Sequence, residues 1–288
     1  MRPTPGGVGP DTRTGEAERM SAAVDPWEPH PRPRAVHGLG DPDTEQGLLN
    51  LRDLGGIPVT GGTTRHGVVL RSDDLSRATT WEVEALLHAG LSTVVDLRSP
   101  HEVASAGTGP LRARGVEQHH LPLLPRSGMP GGLVARLTGN AVTPDELGRW
   151  YAMVTLASAP LLVGVLELVA RAEGAVLVHC TAGKDRAGIV AACLLTVLGA
   201  GRDDVVLDYT RTSVALPALR RRLGLAAVAA DVAVLVDAHP GTMAGMLTVL
   251  HEEHGGVREV LGEAGLTDAT TARLRDRLVV ATPARTSA

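Results

Sequence analysis

Cys180 and Arg186 stand six positions apart, a CX5R spacing, inside His179-Cys180-Thr181-Ala182-Gly183-Lys184-Asp185-Arg186-Ala187-Gly188. A nucleophile, a glycine-bearing backbone and two cations share one short piece of chain. Such a set suits attack on a phosphate monoester. That reaction needs a nucleophile active at neutral pH, a cradle for a dianion, charge stabilisation in the transition state and a proton for the leaving oxygen. A thiol placed just before a helix N-terminus and beside Lys184 and Arg186 is favoured as thiolate. The amides of Thr181, Ala182, Gly183, Lys184, Asp185 and Arg186 can wrap an anion, and Gly183 permits the turn. The planar fork of Arg186 can hold two phosphate oxygens. Asp185 is a carboxyl in an otherwise cationic loop, which makes it a candidate proton donor. His179 is placed to orient Cys180.

Two other readings of this stretch fail or weaken. A nucleotide-binding GxxxxGK[ST] loop needs glycine where Val178 stands and Ser or Thr where Asp185 stands. A buried, inert cysteine describes Cys193, which follows on an apolar run, but would leave Lys184, Asp185 and Arg186 as a charge cluster without purpose. Lys184 also stands out by rarity. Of 28 basic residues it is the only lysine, the rest being arginine. A compact ammonium is therefore expected where a guanidinium would not fit.

The elements that must position the loop are legible around it. Ala175-Val176-Leu177-Val178 reads as a buried strand and Ile189-Val190-Ala191-Ala192-Cys193-Leu194-Leu195 as an apolar helix. Upstream, strands are expected at 68–72, 91–97 and 116–124. Helices are expected after the caps Thr79 or Thr80, Ser99 and Thr143, the last two followed by Pro, and again at about 159–173. Asp96 and Arg98 close the strand at 91–97, where open α/β sheets bind ligands. Beyond 202 the pattern is helical, with segments at 203–211, after Pro217, and at about 227–237, 241–254, 256–264 and 268–280. The expected fold is α/β: a sheet flanked by helices, with a helical C-terminal portion.

Composition narrows the class. Apolar residues make up 43%, but with three Trp, two Tyr and no Phe the core must be built from Leu, Val, Ala and Ile. A net charge of −4 gives no general field for nucleic acid. No run of about 18 apolar residues offers stable membrane insertion, and the N-terminus lacks the apolar core of a secretory signal. Two cysteines make no disulfide framework and suit a reducing cytoplasm, with signal-less secretion left open. Residues 1–45, rich in Pro and Gly, read as a disordered tail, and 283–288 as another. His251 and His254 lack the i,i+4 spacing of a zinc helix, and His119 and His120 point to opposite faces of a strand, so no metal is expected. The run Arg220-Arg221-Arg222 reads first as a solvated helix face and second as a patch for anionic groups.

The string HCxxGKDRxG resembles the loop of the bacterial atypical tyrosine phosphatases that also act on phosphoinositides. Asn50-Leu51-Arg52-Asp53-Leu54-Gly55-Gly56 resembles that family's opening motif, and Leu70-Arg71-Ser72-Asp73-Asp74-Leu75 and Val94-Val95-Asp96-Leu97-Arg98-Ser99 its next two segments. Asp208-Tyr209 falls where the family has an aspartate-tyrosine pair. The resemblance covers about 46–280 and implies one cysteine-phosphatase-type domain over 46–282, with no cofactor. It implies Cys180 as the nucleophile that forms a phosphocysteine and Arg186 as the phosphate clamp. Asp185, or alternatively Asp96, would be the acid. Thr181, Ala182, Gly183, Lys184 and Arg52 would bind substrate, a phosphorylated protein or a phosphoinositide, with Lys184 meeting its further acidic groups. A mobile helical lid is expected at 125–157. The family usually carries Thr after the arginine; here it is Ala187. Without that hydroxyl, breakdown of the phosphocysteine is expected to slow. A dedicated lipid phosphatase, and a catalytically weak phospho-binding protein, are the competing functions.

Overall fold

A computed structural model describes Met1 and residues 40–41, 43–123, 142–225 and 230–281. In chain order the elements are β1 (Arg52–Asp53), β2 (Pro58–Val59), β3 (Gly62–Thr64), β4 (Val69–Ser72), α1 (Thr80–His88), β5 (Leu91–Asp96), α2 (Pro100–Ala106) and β6 (Glu117–His120). Then come α3 (Pro144–Ala157), α4 (Ala159–Arg171), β7 (Ala175–His179), α5 (Asp185–Leu198), α6 (Arg202–Thr210), α7 (Leu216–Arg222), α8 (Pro240–His254), α9 (Val257–Glu263), α10 (Asp268–Leu278) and β8 (Val279–Ala281).

Five strands form the main sheet in the order β1-β4-β7-β5-β6. β4, β7, β5 and β6 run parallel and β1 is antiparallel at the edge. The central strand β7 is buried along its whole length. Its alternation feeds two cores, as a period of two requires. Leu177, Leu70 and Val94 face α1, where Val83 and Leu86 meet Leu48, Leu51, Leu75 and Leu111. Val176, Val178, Val69 and Val95 face the larger cluster built from α3 to α6 and α8 to α10. The sheet is thus covered on both faces, which explains why its strands read as apolar runs rather than as alternation.

Local chemistry fixes the helix starts. Thr79, Ser99 and Thr143 each close a reciprocal capping box with the glutamate three residues on: Glu82, Glu102 and Glu146. α3 crosses α8 closely at Gly148, where a Cβ would stand 2.6 Å from the Thr242 carbonyl oxygen.

The sequence expectation is met for the α/β class and most elements, with differences at the ends. The chain 279–281, expected to end a helix, is extended and pairs with β3 in a second sheet, β2-β3-β8. The strand expected at 116–124 spans only β6. The 40–46 turn is closed by Asp41 N–H to the Gln46 carbonyl (2.9 Å) and clasped by Arg222, which donates to the Glu45 and Gly47 carbonyls. Ordered chain therefore reaches back to Gly40. Of the tails expected at 1–45 and 283–288, residues 2–39, 42 and 283–288 lie outside the described residues, as does 125–141 of the expected lid. The other part of that lid, α3, is core: Tyr151, Ala152 and Val154 are fully buried. Among the described residues, no single helix is long and apolar enough to cross a membrane.

Candidate active site

β7 ends at His179, and the chain turns through Cys180 and residues 181–184 into α5. The neighbouring strand ends lie beside it: Asp74 N–H donates to the Thr181 carbonyl (3.2 Å) and Leu97 N–H to that of His179 (2.9 Å). Gly183 has φ +66°, and a Cβ there would stand 2.6 Å from the Ser72 carbonyl carbon and oxygen. Only glycine allows this turn and this approach.

The loop's carbonyls are held one by one. That of Thr181 accepts from Asp74. The Ala182 carbonyl accepts from Asn50 Nδ2 (2.8 Å), and those of Gly183 and Lys184 accept from Arg71 Nη2 (2.7 and 3.2 Å). In a planar trans peptide the N–H points opposite to the C=O. Fixing these four carbonyls therefore turns the N–H groups of Ala182, Gly183, Lys184 and Asp185 the other way, away from Asn50, Arg71 and Asp74.

The holders are themselves held. Asp208 on α6 accepts from Arg71 Nη1 (2.6 Å) and Arg52 Nε (3.1 Å). Arg52 Nη1 donates to Asn50 Oδ1 (2.5 Å), and Nη2 donates to the Asp208 carbonyl and Thr212 Oγ1. Burial pushes the Asp208 carboxyl up, but the two guanidinium groups hold it below its ordinary value. Arg52 is lowered to about 10 by burial and by Arg71. Arg52 is thus no direct substrate ligand, since all three of its nitrogens are occupied behind the loop.

Arg186 lies at the start of α5. Glu102 grips it with both oxygens, from Nη1 to Oε2 at 2.7 Å and Nη2 to Oε1 at 2.6 Å. The Thr181 hydroxyl donates to the same carboxylate. Burial opposes the charge on Arg186, yet Glu102 and the nearby Cys180 hold its pKa above the ordinary value. Glu102 is also buried against ionisation, but Arg186, Thr181 and the Ser99 amide hold it far below the carboxylate range. Nε of Arg186 meets no partner among the described residues, leaving that edge for an anion.

Cys180 is buried, and His179 before it is fully enclosed. Burial drives the His179 pKa down to about 4, so the imidazole is neutral at pH 7. Its Nε2 lies 3.6 Å from Asp96 Oδ2. Asp96 itself belongs to Arg98, whose Nε reaches both of its oxygens at 3.0 and 3.1 Å and whose Nη2 reaches Oδ2 at 2.7 Å. Burial raises the Asp96 pKa, but Arg98 and His179 bring it below the ordinary value. Both oxygens of Asp96 are thereby engaged by Arg98. Asp185 keeps about a third of its side chain exposed.

Lys184 departs from expectation. Its ammonium is enclosed and donates to the carbonyls of Leu235 and Asp237 (3.0 Å), and it lies 3.2 Å from Asp185 Oδ1. Two backbone carbonyls hold the ammonium and a carboxylate oxygen lies beside it, so the lysine anchors the chain at 235–237. Of the run 220–222, Arg222 is turned inward and pairs with Asp73 (2.9 Å), while the exposed Arg221 pairs with Glu45 (2.7 Å) and the half-buried Arg220 donates to the Val236 carbonyl. Cys193 is inert, its thiol pushed up to about 12 by burial. Ala187 lines a small apolar void with Leu54, Val69, Val178 and Val190.

Four residues here escaped the sequence reading of the site: Asn50 and Arg71 as loop holders, Glu102 as more than a helix cap, and Tyr151 against Asp185. Asn50 and Arg71 did lie in the segments that resemble the family. Tyr151 had no local signal.

Known proteins match the chain over the same span. The tyrosine phosphatase family matches residues 44–280. Triple specificity protein phosphatase PtpB of Mycobacterium tuberculosis is 29% identical over 272 residues, covering 81% of this chain and 97% of that protein. A tyrosine-protein phosphatase of Nostoc commune is 29% identical over 220 residues, 73% of each chain. The match runs from the turn that Arg222 clasps to the strand that closes the second sheet, with the cysteine loop at its centre, and on that ground the chain belongs to the tyrosine phosphatase family and is a protein-tyrosine phosphatase.

Proposed function

We propose that the protein hydrolyses phosphotyrosine through a phosphocysteine on Cys180, with Arg186 and the loop amides binding the phosphoryl group and Asp185 as acid and then base. The observation that carries this reading is the set of four consecutive loop carbonyls, each fixed from outside, which aims successive amides at one point next to Cys180 and Arg186. Amides fixed before the substrate arrives need no reorganisation as charge builds on the equatorial oxygens. Asp185 takes the proton role because Asp96 is bound to Arg98.

The substrate range extends to phosphoserine, phosphothreonine and phosphoinositide monoesters. The name of the mycobacterial relative, a triple specificity phosphatase, supports a range beyond phosphotyrosine. The enclosed ammonium of Lys184 argues against a dedicated polyphosphoinositide phosphatase, since two carbonyls of the chain at 235–237 already hold it. Ala187 is the single feature that favours the alternative, a slow phospho-binding protein.

The test is phosphate release by the purified protein from phosphotyrosine peptides and a phosphoinositide panel, beside Cys180→Ser. Release that depends on Cys180 and is fastest on phosphotyrosine is expected. Stoichiometric binding of phosphopeptide by the wild type without turnover would establish the alternative.

A further inference from the structure

The side chain that reaches Asp185 from outside the loop comes from α3, thirty-four residues upstream. The Tyr151 hydroxyl donates to Asp185 Oδ1, and Lys184 Nζ stands 3.2 Å from the same oxygen. Behind it the Tyr209 hydroxyl lies 3.1 Å from that of Tyr151. Tyr151 has one proton and directs it at Asp185, so Tyr209 is the donor in the second bond. Tyr151 thus holds Oδ1 by a hydrogen bond, and the Lys184 ammonium lies against the same oxygen. Oδ2 meets no partner among the described residues.

Resting on the phosphocysteine reading above, we propose that Tyr151 is a positioning residue that holds Asp185 so that Oδ2 is the oxygen that carries and transfers the proton. In the first step the Cys180 sulfur forms the S–P bond, the P–O ester bond breaks with its electron pair on the leaving oxygen, and that oxygen takes the proton from Oδ2. In the second step water adds to phosphorus and gives a proton to Oδ2, and the S–P bond breaks to regenerate the thiolate. Tyr151 stays protonated throughout. Burial first, and the Asp185 charge next, raise its pKa well above the tyrosine value.

The charged and titratable groups around Asp185 are Tyr151 from α3, Tyr209 from α6, Lys184 and Cys180 from the loop, and Arg186 beside it on α5. Of these, Tyr151 is the neutral donor in direct contact. Removing this donor frees the Asp185 carboxylate to rotate, so the proton-bearing oxygen is no longer held toward the leaving group.

The experiment measures kcat and KM for wild type, Tyr151→Phe, Tyr209→Phe and Asp185→Asn on a phosphotyrosine peptide and on an aryl phosphate whose leaving group needs no proton. Tyr151→Phe should lower kcat on the peptide by roughly three- to tenfold with little change in KM, and change kcat on the aryl phosphate much less. Tyr209→Phe, which removes only the second donor, should act in the same direction by less, and it keeps the test open if Tyr151→Phe does not fold. Tyr151→Phe added to Asp185→Asn should cost nothing further. Unchanged kcat in folded variants, equal losses on the two substrates, or changes confined to KM, overturn the role of Tyr151 while the phosphatase reading stands. Absence of any Cys180-dependent release in the wild type overturns both.

Discussion

Asp96 and Asp185 both stand at the cysteine loop, and their partners hold them differently. Asp96 gives both oxygens to Arg98, which also reaches Asp74 at 2.7 Å, so it ties two strand ends together. Asp185 is fixed by one oxygen only. Asp185→Asn should lower kcat on phosphotyrosine by roughly a hundredfold or more, and much less on an aryl phosphate whose leaving group needs no proton. Asp96→Asn should act chiefly through stability, measured by thermal unfolding. Ala187 raises a separate question about the second half-reaction. A hydroxyl at that position could stabilise the departing thiolate, and the void beside Ala187 gives a larger side chain some room. Ala187→Thr should therefore shrink the burst relative to the steady-state rate on a phosphotyrosine substrate in stopped-flow measurements. Equal burst fractions in the two proteins would show that the missing hydroxyl is not limiting.

At the scale of an element, α2 does two jobs with one glutamate. Glu102 accepts from the Ser99 amide to close the capping box and from Arg186 to fix its guanidinium. The helix start therefore sets where the arginine points. Ser99→Ala removes the acceptor for the Glu102 amide, which should cost about 1 kcal/mol of stability. It should also raise KM, or weaken oxyanion binding measured by calorimetry, more than it changes kcat. A purely structural cap would change stability and leave KM alone. The cap was legible, since Ser-Pro-x-Glu before a helix has a local mechanism. The grip on Arg186 was not, because it joins residues 84 positions apart.

Across the whole molecule, the loop rests on charges buried beneath it. Asp208 neutralises Arg71 and Arg52 together, and loss of one member leaves buried charge without a partner. Asp208→Asn should destabilise by roughly 3–5 kcal/mol in urea unfolding. The pH dependence of stability has its own signature in His179. Its folded pKa, about 4, lies below an unfolded value of about 6.5. Between those values the unfolded chain binds a proton that the folded chain refuses. Stability is full above about 6.5 and falls as pH drops toward 4, by on the order of 3 kcal/mol from this group. Glu102 acts in a lower window: with its folded pKa depressed, its contribution is present above its unfolded pKa of about 4.3 and is lost on further acidification. His179→Gln should flatten the unfolding free energy between pH 6.5 and 4.5 and leave the lower fall in place.

The amino-acid sequence by itself determined the strand-loop-helix around Cys180, the capped helix starts and the α/β class, because each rests on neighbours within a few positions. It also marked Asn50, Arg71 and Asp208 as lying in segments that go with such a loop, without their work. What the tertiary structure decided is which charges meet. Arg52 reads as a ligand and Lys184 as a reader of acidic groups, yet one supports the loop from behind and the other ties down 235–237. The reason is physical: a long cationic side chain looks the same in sequence whether its head meets substrate, a carboxylate 156 positions away as Arg52 does, or a pair of carbonyls as Lys184 does. Only the packing of α6 and of the chain near Leu235 against the loop makes that choice.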